Sequence, residues 1–294
     1  MHRCLLRTTI LLCLLWGVDL SQQPASGAEL LFRQGVGGAI GTHTIRADDS
    51  LVELARRYDV GYNEITAANP GVDPFVAEAG TRVTIPGRWI LRDVPVQGGI
   101  VINLAEMRLY SLHPHTGGLI ETFPVGIGDE GWNTPTGTFR VIGKIVNPAW
   151  HVPASIRAQK PGLPAIVPPG PDNPLGTHAL RLSIGTVLIH GTDRPFGIGR
   201  RVSHGCIHLY PEDIVTLFRK VKPGTRVTIV RQRVKATRAG GRVLMEVHGE
   251  GDDTLLQEAM KLLEKKKLTT KVDWVKLQAA LRDKSGIPTD ITGK

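Results

Sequence analysis

Apolar positions along this chain repeat with two different periods. Between residues 97 and 231 they form short β-type runs at 100–103, 107–110, 121–125, 137–142, 187–190 and 226–230, and turn-forming residues separate them. Residues 113–118 (HPHTGG) supply turn chemistry between two of these predicted strands. One helix interrupts the series at 211–221. There Pro211 suits the first turn, Glu212 and Asp213 favour the positive helix end, and Ile214, Leu217 and Phe218 form an apolar stripe. The proline-rich stretch 161–174 cannot be regular structure and is expected to be a loop over the site.

On either side of this region the helical period appears. Residues 42–45 and 80–86 read as strands. Between them Ser50-Leu51-Val52-Glu53 matches a capping box that starts a helix to about Tyr58. Asn63 is the expected cap of a second short helix carrying Ile65, Ala67 and Ala68, which Asn69-Pro70-Gly71 ends. Downstream, Leu255, Leu256, Ala259, Met260, Leu262 and Leu263 recur at helical spacing, and 273–282 reads as a further helix. The chain is therefore expected to be a mixed, β-rich protein. Residues 29–41 form a spacer and 42–86 a small β-α-α-β domain. A mainly-β sandwich or barrel-like domain follows at 97–231, then a charged, partly helical extension at 232–294.

Composition supports the strands. Of 294 residues, 34 are Gly and 20 are Pro, which favours turns and sheets over a helical bundle. The N-terminus reads as a secretory signal over 1–28, with Arg3 and Arg7 before an apolar stretch at 8–18 and small residues at Ser26-Gly27-Ala28. That run is shorter than the roughly 20 residues that span a bilayer, so cleavage after Ala28 is expected. Cys4 and Cys13 leave with it, and the mature chain keeps Cys206 alone. Two basic and one acidic residue also leave, which lowers the formal charge from +9 to +8. A basic secreted protein suits an anionic cell wall or membrane surface. Aromatic residues make up only 5% and do not interleave with the basic ones, so nucleic acid is not an expected partner.

The 42–86 segment resembles a LysM module, the small domain that holds the N-acetylglucosamine-containing glycans of cell walls. The likeness rests on His43-Thr44-Ile45, Asp49-Ser50-Leu51, Leu54-Ala55, Tyr58, Ile65, Ala68-Asn69-Pro70 and Val83-Thr84-Ile85-Pro86. Asp48 stands where that family usually has glycine.

Candidate chemistry centres on Ser203-His204-Gly205-Cys206-Ile207-His208-Leu209, with Ile189-His190-Gly191-Thr192 upstream. A nucleophilic cysteine needs a base, a group that orients it, and donors for an oxyanion. His190 ends a predicted strand, His204 lies two residues before the thiol, and the Gly205 and Cys206 amides are natural oxyanion donors. Zinc held by His190, His204, Cys206 and His208 is a second reading of the same residue types. The order of histidine before cysteine is opposite to that of papain-like peptidases.

These two stretches are similar to the signature of the YkuD-type L,D-transpeptidase catalytic domain. So are Thr134-Pro135-Thr136-Gly137-Thr138-Phe139 and Gly170-Pro171-Asp172-Asn173-Pro174-Leu175-Gly176. The resemblance implies that Cys206 is the acyl-accepting nucleophile and His190 the base, its ring held by a backbone carbonyl near Gly191. His204 and Gly205 would form part of the oxyanion and substrate wall. Ser203, Gly191, Thr192, His208 and Arg201 would contact substrate. The family attacks the bond between meso-diaminopimelate and the terminal D-alanine of a peptidoglycan tetrapeptide, reacts with carbapenems at the cysteine, and needs no cofactor or metal. An amine accepts the acyl group, whether on a stem peptide or a lipoprotein lysine; with water as acceptor the product is that of an L,D-carboxypeptidase. A non-catalytic wall-binding protein is a third reading. A periplasmic location follows from the resemblance and the signal. His208 departs from the Arg or Asn common in the family, which leaves Arg194, Arg200 and Arg201 as candidates for holding substrate carboxylates.

Overall fold

A computed structural model describes residues 27–91, 98–112, 119–249 and 254–293. The expected turn at 113–118 and all but the last two residues of the expected signal lie outside these. The body is the anticipated β-rich one. Nine strands form a single sheet, in spatial order Ala28–Leu31, Leu119–Pro124, Arg108–Leu112, Gly99–Asn103, Arg226–Val230, Gly137–Val146, His178–Leu182, Leu188–His190 and Ile207–His208. Most neighbours are antiparallel. Arg226–Val230 runs parallel to Gly99–Asn103, and Leu188–His190 parallel to Ile207–His208.

Alternation along the strands drives Ile100, Ile102, Leu109, Val227 and Ile229 into one core with Phe123, Leu180 and Ile189. The helix Pro211–Lys220 closes that core with Ile214 and Leu217. Residues 161–174, expected as an irregular loop, include a two-residue strand, Ile166–Val167, paired with Trp150–His151.

Residues 29–41, expected as a spacer, instead contribute structure. Ala28–Leu31 pairs with Leu119–Pro124 at one edge of the large sheet, and Val36–Gly38 pairs with Arg88–Ile90. The β-α-α-β unit is present. Gly41–Thr44 pairs antiparallel with Arg82–Ile85 around helices α1 (Leu51–Arg57) and α2 (Tyr62–Ala67). The Ser50 hydroxyl caps α1 by accepting the Glu53 N–H at 3.2 Å. Asn63 does not cap α2. The N-cap is Gly61, whose N–H donates to the Glu64 carboxylate at 2.6 Å, while Asn63 Nδ2 donates to the Glu106 carbonyl at 2.9 Å. Gly61 packs against Gly199, and a Cβ there would stand 3.1 Å from the Gly199 Cα.

The C-terminal part is more than a helical extension. Its helices Leu255–Lys265 and Trp274–Asp283 pack on a three-stranded sheet of Val234–Ala239, Arg242–Val247 and Thr289–Asp290. Together they enclose a separate core containing Val234, Met245, Leu263, Leu277 and Ile291. Gly240 and Gly241 both have positive φ, 56° and 79°, and turn the hairpin in a two-residue loop of the kind only glycine-rich pairs adopt cheaply.

Candidate active site

The strands that carry His190 and Cys206 lie side by side. Ile189 pairs with Ile207 and His190 with His208, so the same register sets Cys206 beside Leu188. Strand residues alternate faces. Ile189 and Ile207 are fully buried in the core, so Leu188, His190, Cys206 and His208 share the opposite face.

His190 is buried, with Nδ1 2.7 Å from the Gly191 carbonyl. A carbonyl only accepts, so Nδ1 carries the hydrogen and Nε2 keeps its lone pair. Burial lowers the imidazole to about 4, against the opposing pull of the Gly191 and Leu175 carbonyls. The ring is therefore neutral at neutral pH. His208 stands with its ring centroid 4.4 Å from that of His190, and burial, then His190, pushes it well below its ordinary value.

Cys206 is half-buried. Its Sγ accepts the Leu188 N–H at 3.5 Å and donates to the Thr186 carbonyl at 3.8 Å. Burial pushes the thiol up, against the pull of the Leu188 N–H. With an imidazole pushed down and a thiol pushed up, the resting pair is thiol and neutral imidazole, not thiolate and imidazolium.

Ser203 fastens the turn between them. Its Oγ donates to the Cys206 carbonyl at 2.6 Å and accepts the Gly205 N–H at 3.1 Å. Gly205 has φ of 100°, a backbone region that residues with a Cβ rarely enter. That turn breaks the strand alternation, so His204 is exposed and packs 4.8 Å from the Trp132 ring. The Gly205 N–H thus has Ser203 Oγ as its partner in this structure.

The remaining residues have other partners. Gly191 is buried against Ile214, where a Cβ would lie 3.1 Å from Cγ2. Thr192 is buried and its Oγ1 accepts the Arg194 N–H at 2.9 Å, which shapes the loop between His190 and Cys206. Arg194 is exposed beside Asp193 at 3.7 Å. Arg201 donates to Asn133 Oδ1 at 2.8 Å, and the Arg200 guanidinium lies 3.8 Å from the Tyr62 ring centroid. Asn173 anchors the loop over residues 161–174, donating to the Pro148 and Pro168 carbonyls at 2.9 and 3.0 Å and accepting from Leu175 N–H at 2.9 Å. Neither this role nor those of Leu188 and Trp132 follow from sequence alone, because their partners are distant in the chain.

The zinc arrangement does not form. Among the described residues, the three-residue set whose ligand atoms converge within 4.8 Å is Glu106, Glu246 and His248, which excludes Cys206. That set already holds a cation, since Lys235 Nζ lies 2.8 Å from Glu106 and 2.5 Å from Glu246.

Residues 97–229 match the YkuD family, described as the L,D-transpeptidase catalytic domain, and residues 43–86 match the LysM domain. The chain is 41% identical over 266 residues to the probable L,D-transpeptidase YcfS of Escherichia coli K12, covering 85% of this chain and 82% of that protein. The chain belongs to the L,D-transpeptidase family. The probable L,D-transpeptidases YbiS and ErfK/SrfK of the same organism are 42% and 39% identical, covering 81% and 82% of this chain and 82% of each relative. The similarity thus runs through the LysM domain and the catalytic sheet and into the C-terminal unit of this L,D-transpeptidase family member.

Proposed function

We propose that this protein is a peptidoglycan L,D-transpeptidase in which Cys206 is the nucleophile and His190 the general base. The observation that carries the reading is that both side chains project from one face of paired strands, with the Gly191 carbonyl fixing the tautomer that leaves His190 Nε2 free. The thiol turns from Leu188 and Thr186, gives its proton to Nε2, and Sγ bonds to the diaminopimelate carbonyl carbon. The Cys206 N–H meets the oxyanion. Collapse breaks the carbon–nitrogen bond, His190 returns the proton to the amine, and D-alanine leaves. An acceptor amine then attacks the thioester, passes a proton to His190, and the proton returns to sulfur.

The neutral resting pair suits this cycle, because charge appears only once substrate has displaced water. His204, Ser203, Gly191, Thr192 and His208 form the walls and supports of the site. The acceptor amine belongs to a second stem peptide or to a lipoprotein lysine, and the LysM domain holds the glycan. The N-terminal signal places the enzyme in the periplasm; among the described residues no helix is long and apolar enough to cross a membrane.

Incubation with tetrapeptide muropeptides tests the reading. Release of D-alanine together with cross-linked dimers is expected, and release without any transfer product would replace transferase by carboxypeptidase activity.

A further inference from the structure

Where the LysM domain, the catalytic sheet and the C-terminal unit meet, they line an open cavity of about 750 Å³. Tyr62 and Asn63 line it from α2, Arg200 and Arg201 from the loop before the nucleophile, and His248 and Lys284 from the C-terminal unit. Lys284 reaches it from a left-handed backbone position, φ 43°, that ends the last helix.

Its charges are uncompensated. Arg200 stacks on Tyr62 with no carboxylate partner among the described residues, Arg201 bonds a neutral amide oxygen, and Lys284 makes no ion pair among the described residues. The nearby acids are committed elsewhere. Glu64, which also lines the cavity, binds Arg108 at 2.7 Å, the Gly61 N–H and Trp89 Nε1, while Glu106 and Glu246 bind Lys235. Arg231 is lowered by burial and then by Arg201 and Arg233, the mark of a locally positive field.

Guanidinium and ammonium groups without an acidic partner on one cleft favour a carboxylate ligand, which a guanidinium can bind through two parallel N–H groups.

We propose that this cavity is a second binding site, separate from the Cys206 thiol, for a peptidoglycan stem peptide. Its carboxylate sits between Arg201 and Lys284. The choice of ligand rests on the peptidoglycan reading given above; the basic cavity does not. The C-terminal unit supplies the wall that carries Lys284 and His248, so that stem, LysM-bound glycan and catalytic loop are held by one rigid junction.

Calorimetric titration of the Cys206→Ala protein with a free tetrapeptide stem, which offers the LysM domain no glycan, tests this, since the ligand is then not consumed. Two sites are expected, and Arg201→Gln with Lys284→Gln should weaken one of them at least tenfold while an uncharged chitooligosaccharide binds as before. Amidating the stem carboxylates should weaken that same site. A single site in the Cys206→Ala protein, or two sites unchanged by the double substitution, overturns the proposal. If the double variant also loses the chitooligosaccharide, Lys284→Gln alone decides: a stem affinity lowered severalfold supports the site, and an unchanged one overturns it. Failure of the catalytic reading shows separately, as the absence of any acyl adduct on the intact thiol, whatever the titration gives.

Discussion

The catalytic face and the junction beside it handle ionisable groups in opposite ways. At the catalytic face no carboxylate among the described residues is bonded to His190; His190 and Cys206 are held by backbone groups, the Gly191 carbonyl and the Leu188 N–H, and burial keeps both neutral. In the buried interior of the junction, beneath the basic cavity, the charges are kept and paired. Arg108 is fully buried against Glu64 and over the Trp89 ring at 4.0 Å, and Lys235 is buried between Glu106 and Glu246. Burial of a neutral pair leaves a proton free to move when substrate arrives, whereas burial of matched charges fixes geometry and makes separation costly. The reactive part of the molecule is thus the one with adjustable protonation, and the rigid part is the one that docks the LysM domain and the C-terminal unit.

Four substitutions or conditions break this contrast, in descending size. His190→Ala removes the base and should slow thiol acylation by about a thousandfold, or about 4 kcal/mol, measured by rapid-quench mass spectrometry; a loss under tenfold would make another group the base. Arg108→Met strands the Glu64 carboxylate and should cost about 3–5 kcal/mol of stability. A denaturant titration checks it, and adding Glu64→Leu should recover much of the loss.

Acid should weaken the catalytic face next. His190 has a folded value of about 4 against 6.5 for the free side chain, so the unfolded chain binds the proton more readily. Stability is complete above about 6.5 and falls as the pH drops toward 4, by about 3 kcal/mol, with His208 acting in the same direction. Thermal melts across that window should show the fall, and His190→Asn with His208→Asn should flatten it. The smallest effect belongs to Ser203→Ala, which frees the Gly205 N–H and the Cys206 carbonyl and should cost about 1–3 kcal/mol. If its acylation rate rises, the Gly205 amide is a latent oxyanion donor that Ser203 restrains.

Much of this was readable along the chain. The strand at 226–230 and the helix at 211–220 follow from residue periodicity, because one face of each meets the core. The thiol and His190 follow from their motif. What sequence could not supply are partners separated by long stretches of chain. Arg108 looks like an ordinary polar strand position, yet its partner Glu64 lies 44 residues earlier, and Lys235 reaches Glu106 across 129 residues. The local cap rule favoured Asn63 for α2, but close packing of Gly61 on Gly199 took that place. The Gly240-Gly241 hairpin signal was present in the sequence and was obscured by the charged composition around it.

Intact-mass spectrometry during turnover with a tetrapeptide muropeptide tests the central claim most directly. An adduct equal to the donor less D-alanine should appear on Cys206, vanish when an acceptor amine is added, and be absent from the Cys206→Ala protein. Cross-linked product formed by the Cys206→Ala protein, or an adduct mapped to any other residue, would contradict it.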